Sequence, residues 1–303
     1  MKNHKKLLEE FEQDLQSGSY DITLKAEQVL SSFIEESQGL RISDFQRELL
    51  EVCRKILAIQ PQMALVRHLV SGAIKLAKYD NVKSLEAFKS YFTNFREFLK
   101  NSVETIANSA QRKIEHSTTI GTLSYSKAVR SAILQANKSK KKINLIISES
   151  VPGSEGIRLA NELHNEHIET LLIPDMAWGK YAKSCDLFLL GCDCITEGFI
   201  INKTGSYILA VLAKNFSIPF VVLGSRLKIM PARFISSSEM KESTLENWGT
   251  RVKPESRTSA PLFEAVPLEL VSEIICEDGK LEEEKIRAKV TEFEELEELI
   301  RKI

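Results

Sequence analysis

Between residues 143 and 223 the chain reads Ile143-Asn-Leu-Ile-Ile, Ile168-Glu-Thr-Leu-Leu-Ile, Asp186-Leu-Phe-Leu-Leu, Phe199-Ile-Ile and Ile218-Pro-Phe-Val-Val-Leu. Each run is short, apolar and rich in β-branched residues, as strands covered on both faces are. Stretches with helical spacing lie at 124–136, 154–165, 175–183 and 204–215, and 271–276 supplies one more strand. Strand and helix in alternation predict an α/β architecture with a mainly parallel sheet and right-handed crossovers. Ligands of such sheets bind beyond the carboxyl ends of the strands, so chemistry is expected in the loops that follow them.

Upstream of residue 118 the period is helical. Leu7, Leu8, Phe11 and Leu15 share one face, and Ala26, Val29, Leu30 and Phe33 share another, with Gly18-Ser19 between them. A third helix is expected from Ser43, as N-cap, to Ile59, and Pro61 opens a fourth. Phe88, Phe92, Phe95 and Leu99 line a long helix from about residue 82 to 116, a stripe that reads as packing between helices. The expected division is a helical domain over 1–116 and an α/β domain over 117–303. The second ends in an acidic amphipathic helix whose Ile286, Val290, Phe293, Leu296 and Ile300 pack on its own domain or another chain.

The 303 residues are 43% hydrophobic and 27% charged, the balance of a soluble globular protein. Forty-one Lys and Arg against 42 Asp and Glu leave a net charge of −1, which gives no overall field for nucleic acid or an anionic membrane, and neither is expected as a partner. Lys138-Ser-Lys-Lys-Lys is locally basic; a phosphate or RNA contact is one reading, and a solvated loop ahead of a strand is preferred. No apolar stretch is long enough to span a bilayer. The first ten residues carry acids where a secretory signal needs an apolar run, so a cytoplasmic location is expected. Five scattered cysteines read as free thiols of a reducing compartment. The histidines have no ligand company, and neither metal nor cofactor is expected.

The densest signal is Leu190-Gly-Cys-Asp-Cys-Ile-Thr-Glu-Gly-Phe-Ile-Ile-Asn-Lys-Thr-Gly-Ser-Tyr207. It places Asp193 just past an apolar strand, turns at Gly198 and delivers Asn202-Lys203 to the start of a helix. The backbone N–H groups of Lys203, Thr204 and Gly205, with the Lys203 ammonium, offer a phosphate site at that helix N-terminus. A carboxylate beside a phosphate grip suits proton transfer on a phosphorylated sugar. The plainer alternative is that Asp193 caps a turn and Lys203 pairs with it. Cys192 and Cys194 flank Asp193 and would point away from the face it uses, so they read as small buried hydrophobes.

These residues resemble the signature of the translation initiation factor 2B alpha/beta/delta family, which also contains ribose-1,5-bisphosphate isomerase and 5-methylthioribose-1-phosphate isomerase. The family's G-A-D-x-I-x-x-N-G-x-x-x-N-K-I-G-T stands here, one position shorter, as residues 191–206. Asp175, Leu209-Ala-Val-Leu-Ala-Lys, Ile218-Pro-Phe, Lys228 with Pro231, Leu262-Phe-Glu-Ala-Val-Pro, Ile274-Ile-Cys-Glu-Asp-Gly and Gln60-Pro-Gln-Met-Ala-Leu-Val extend the likeness. It implies a helical N-terminal domain followed by a Rossmann-like C-terminal domain, dimerising through the latter into a homodimer or higher homo-oligomer. It also implies Asp193 as the catalytic aspartate and Asn202 and Lys203 as substrate-binding positions, to which Gly205, Lys228 and Thr122 are added.

The family's catalytic cysteine does not carry over. The isomerase pattern T-H-C-N-S-K-A is Thr122-Leu-Ser-Tyr-Ser-Lys-Ala here, with Ser124 at the cysteine position. A serine hydroxyl is much harder to ionise than a thiol, and no His lies beside it in sequence. T-E-S-R-P is Ser148-Glu-Ser-Val-Pro, so Val151 stands where the family has a phosphate-gripping arginine. The arginine-glycine motif near the amino end of the ribose-bisphosphate isomerases has no counterpart around Ser17-Gly-Ser. The preferred expectation is a regulatory, non-catalytic protein that binds a sugar phosphate or nucleotide. The alternatives are an aldose–ketose isomerase of a phosphorylated ribose using Asp193 with Ser124 or a neighbouring thiol, and a purely structural dimerisation partner.

Overall fold

The computed structural model describes residues 3–14, 17–61, 63–78, 84–235 and 259–301. Leu15, Gln62 and Val82, and the side chain of Ile300, lie outside the described residues. The chain forms two compact units, Met1–Asn101 with Ala288–Ile303, and Ser102–Arg287.

The first unit is helical: α1 (Asn3–Gln13), α2 (Ser19–Glu36), α3 (Ile42–Ile59), α4 (Ala64–Lys78), the first part of α5 (Leu85–Ala110) and the end of the terminal helix. Two of the apolar spacings read from sequence are its core, while of the first only Phe11 is buried and Leu7 and Leu8 are half-buried. Ala26, Val29, Leu30 and Phe33, and Phe88, Phe92, Phe95 and Leu99, are all buried. Phe33 stacks on Phe45 at 5.6 Å, and Phe45 meets the edge of Phe88 at 5.0 Å. Two details differ from expectation. Arg41, not Ser43, is the N-cap residue of α3, with Asp44 in the first turn taking Arg41 Nε at 2.8 Å. Pro61 precedes α4 in the connection instead of opening the helix. Glu27 is fully buried and held by both nitrogens of the Arg96 fork at 2.9 and 2.6 Å. The terminal helix packs on α4 of this same unit, with Phe293 against His68 at 4.8 Å and Glu297 accepting from Arg67 at 3.1 Å.

The second unit is built on β1 (Thr118–Thr122), β2 (Ile143–Ser148), β3 (Glu169–Ile173), β4 (Leu187–Gly191), β5 (Cys194–Ile195), β6 (Phe199–Lys203), β7 (Phe220–Leu223), β8 (Phe263–Pro267), β9 (Glu273–Cys276) and β10 (Gly279–Lys280). Helices α6 (Lys127–Lys138), α7 (Glu155–Asn165), α8 (Trp178–Tyr181) and α9 (Ser206–Phe216) connect them, and α10 (Glu283–Arg301) follows. A 7-stranded sheet has the order β10-β9-β7-β4-β1-β2-β3, parallel except at β10. One face of this sheet buries Ile120, Leu145, Ile147, Leu189 and Val221 with Val129, Ile133, Leu159 and Leu163 of α6 and α7. On the other face Phe188 packs between Trp178 and Phe220, at 5.6 and 6.4 Å.

Two expectations needed correction. Phe199–Lys203 is not in the parallel sheet; too few residues separate it from β4 for a crossover, and it turns back to form an antiparallel sheet β5-β6-β8. Thr196 makes the turn, its hydroxyl accepting from Phe199 N–H at 3.0 Å. The strand at Ile168–Ile173 is not covered on both faces, since β3 is an edge strand with Leu171 and Leu172 exposed. The basic run is the solvated loop expected ahead of β2, with Lys138, Lys140 and Lys142 exposed, while Lys141 Nζ donates to the carbonyls of Gln111 and Ile114.

Candidate functional site

The chain enters the parallel sheet at an interior strand, β1, steps outward through β2 to the edge at β3, then returns to β4 on the other side of β1. The order reverses between β1 and β4, and such a reversal leaves a crevice at the carboxyl ends of the two strands. Ser124 follows β1 and Asp193 follows β4, so both flank that crevice.

Asp193 is half-buried, and its backbone N–H is fixed on the carbonyl of Ile201 at 2.8 Å. Among the described residues no hydrogen-bond donor reaches its carboxylate. Lys228 arrives from the turn after β7, and its ammonium donates to the carbonyl of Cys192, the residue immediately before Asp193. Asn202 and Lys203 lie at the end of β6, where β8 pairs Asn202 with Glu264 and Lys203 with Phe263. The Asn202 amide donates to Ser206 Oγ at 2.9 Å, and that hydroxyl donates to the Lys203 carbonyl at 2.6 Å. Lys203 keeps only 3% of its side chain exposed and meets Glu155 Oε1 at 3.0 Å; the other carboxylate oxygen of Glu155 is buried without a described partner. The alternative pairing of Lys203 with Asp193 is therefore not the one formed.

The phosphate grip read at the α9 N-terminus is filled from within the chain. Gly205, in the left-handed region at φ 104°, gives its N–H to Glu264 Oε1 at 2.8 Å, and Tyr207 gives its own to the same oxygen at 2.7 Å. Thr204 N–H goes to the carbonyl of Leu262 at 3.0 Å. A carboxylate there satisfies orphan amides and the helix dipole as a phosphate would. Thr122 is likewise committed: fully buried, it donates its hydroxyl to the Leu189 carbonyl at 2.7 Å and so ties β1 to β4.

Around Ser124 the backbone is unusual. Ser124, Ser150 and Ser154 all lie at positive φ, at 60°, 66° and 57°. Ser124 N–H donates to Ser150 Oγ at 2.6 Å. Asp175 holds the facing turn, accepting from Ser150 N–H at 2.9 Å and Val151 N–H at 2.8 Å. Non-glycine residues in this region collect where surrounding structure over-determines them, as functional loops do. The sequence did not mark Glu155, Glu264 or Glu277 as site residues. Glu264 and Glu277 sat inside quoted motifs, and Glu155 stands in the first turn of α7.

The two thiols that flank Asp193 are buried. Burial pushes the Cys192 thiol up to about 12 and the Cys194 thiol well above the ordinary range. Both are almost fully buried, as small hydrophobes. Among the described residues no three His, Cys, Asp or Glu side chains gather as a metal site would require.

A profile described as the Initiation factor 2 subunit family matches residues 15–283 of the chain. A translation initiation factor eIF-2B subunit 2-like protein of Pyrococcus furiosus is 30% identical over 278 residues, covering 90% of this chain and 94% of that protein. A ribose 1,5-bisphosphate isomerase of Thermococcus kodakarensis is 26% identical over 279 residues, covering 86% of this chain and 85% of that one. Among solved structures, the translation initiation factor eIF-2B of Pyrococcus horikoshii OT3 superposes with a TM-score of 0.78 at 25% identity, covering 93% of this chain and 97% of that chain.

Proposed function

The chain belongs to the initiation factor 2 subunit family, and from that premise we propose that it binds a sugar phosphate or nucleotide at the β1–β4 crevice as a regulatory, non-catalytic protein of translation initiation. The observation that carries this reading is the asymmetry of the crevice. Asp193 stands half-buried with no donor on its carboxylate among the described residues, while the position across from it holds Ser124, and the nearby thiols are buried and protonated. Asn202, Lys203 and Lys228 line the ligand side in this proposal, and Val151 leaves one phosphate contact of the isomerase pattern unmade. The exposed apolar residues Tyr207, Ile208 and Val211 on α9 support self-association of the same chain. No described helix is long and apolar enough to cross a membrane, and a cytoplasmic location is part of the proposal.

A second reading, an aldose–ketose isomerase, is favoured by the retained Asp193 and by the length over which the isomerase of T. kodakarensis aligns. One experiment separates the two. The purified protein is incubated with ribose 1,5-bisphosphate and 5-methylthioribose 1-phosphate, and both ketose product and thermal shift are followed. Regulatory binding gives no ketose and a stabilisation of about 2.7 kcal/mol at a hundredfold excess over Kd, lost in Lys228→Ala. Turnover that disappears in Asp193→Asn would overturn it. Ser124→Cys tests whether a single atom divides the two readings.

A further inference from the structure

Glu277 follows β9, and its carboxylate collects three donors. Ser102 of α5 donates its hydroxyl to Oε1 at 2.5 Å, Ser225 donates its own to the same oxygen, and the Arg226 backbone N–H donates to Oε2 at 2.9 Å. Ser225 in turn shapes the Arg226–Lys228 turn: its hydroxyl oxygen accepts from Leu227 N–H at 3.2 Å and its carbonyl from Lys228 N–H at 2.8 Å. The adjoining Asp278 holds the Arg226 guanidinium with both oxygens, at 3.2 and 3.0 Å. At its far end the turn reaches the Asp193 loop, through Lys228 Nζ on the Cys192 carbonyl and Met230 N–H on the Ile195 carbonyl at 3.0 Å.

We infer that Glu277 is a positioning residue of the ligand site: by fixing the 225–228 turn it sets Lys228 against the segment that presents Asp193. The inference rests on the reading that Asp193 and Lys228 serve a ligand. A backbone N–H can only donate, so the turn needs an acceptor where Oε2 stands, whereas serine hydroxyls can give or take a proton. Glutamine can therefore keep Arg226 N–H on its carbonyl oxygen and donate its amide to Ser102 and Ser225. Alanine leaves all three donors unpaired.

The test needs no ligand for its first arm. Native protein is labelled with limiting acetic anhydride, and Lys228 is read against half-exposed Lys89 by mass spectrometry. Glu277→Ala raises labelling of Lys228 severalfold with Lys89 unchanged, and Glu277→Gln stays near the parent. Unchanged Lys228 labelling in Glu277→Ala, or equal rises in the Ala and Gln variants, overturns the inference. If Glu277→Ala unfolds and every lysine rises together, Ser225→Ala decides in its place by the same criterion. In the second arm, affinity for ribose 1,5-bisphosphate falls about tenfold in Glu277→Ala, and Glu277→Ala adds nothing in a Lys228→Ala background. Additive losses overturn the inference. Absence of any affinity in the parent protein refutes the proposed ligand instead, while the labelling arm still decides the role of Glu277.

Discussion

Gly156 is the second residue of α7, a position where alanine ordinarily stabilises a helix by about 0.5–1 kcal/mol through backbone entropy. Here the sign reverses. A Cβ on Gly156 would lie 1.8 Å from the Ser148 carbonyl oxygen and 2.9 Å from Ser150 Oγ. Ordinary carbon-to-oxygen contacts are about 3.3 Å or more, so α7 and the end of β2 would have to part by about 1.5 Å. The obstructing atom belongs to a strand end, not to a flexible side chain, and overpacking of this kind costs about 1–3 kcal/mol or more. Gly156→Ala should therefore lose about 2–3 kcal/mol net, a drop of about 5–10 °C in Tm for a unit of this size. Gly179→Ala is the matched control, since nothing lies within 4 Å of its new Cβ. It should stay within about 0.5 kcal/mol of the parent. Thermal and urea denaturation followed by circular dichroism measure both. A Gly156→Ala variant as stable as the parent would refute the claim that α7 starts in backbone contact with β2.

Two further outcomes are expected. Burial holds the Cys53 and Cys192 thiols at about 12 in the folded chain, above the value of an exposed thiol. The unfolded chain then releases protons first, so this part of the stability is complete below about 8.5 and is lost as pH rises toward 12. Urea midpoints should fall across that window, less steeply in Cys192→Ala, and native protein at pH 8 should resist thiol reagents; rapid labelling of all five cysteines would contradict the burial. Glu264→Ala removes the carboxylate from the α9 N-terminus and should cost about 1–2 kcal/mol as a lost cap. The vacated amides should then bind anions, so millimolar inorganic phosphate should restore stability in the variant and not in the parent.

The parallel sheet was legible because its strands are apolar runs of the right length, such as Phe188-Leu-Leu within β4, separated from one another by stretches with helical spacing. β1 was harder. Thr118-Thr-Ile-Gly-Thr is neither alternating nor strongly apolar, yet it lies inside the sheet between β4 and β2, with Gly121 facing Phe188 so closely that a Cβ would lie 2.5 Å from that ring. β6 carried a strand signal and joined a different sheet, because pairing depends on the length of the connection as well as on composition. β8 was quoted as a motif without being read as a strand, although its pairing with β6 is what sets Glu264 opposite Asn202.

The site shows where local reading ends. Helix starts, glycine turns and a lysine at the end of a strand are visible in a window of a few residues, and they suggested an anion site on α9. What fills such a site is a matter of residues far along the chain: Glu264 lies 59 positions from Gly205, and Glu155 lies 48 from Lys203. Both acids change the electrostatics of the ligand. With the α9 amides occupied and the Lys203 charge balanced by Glu155, a phosphate gains little from either. Lys228 has no carboxylate within ion-pair distance among the described residues, and it stands beside the loop of Asp193. The negative charge of a bound sugar phosphate or nucleotide should therefore fall on Lys228, with Lys203 and Glu155 together facing a group that both donates and accepts, such as a sugar hydroxyl.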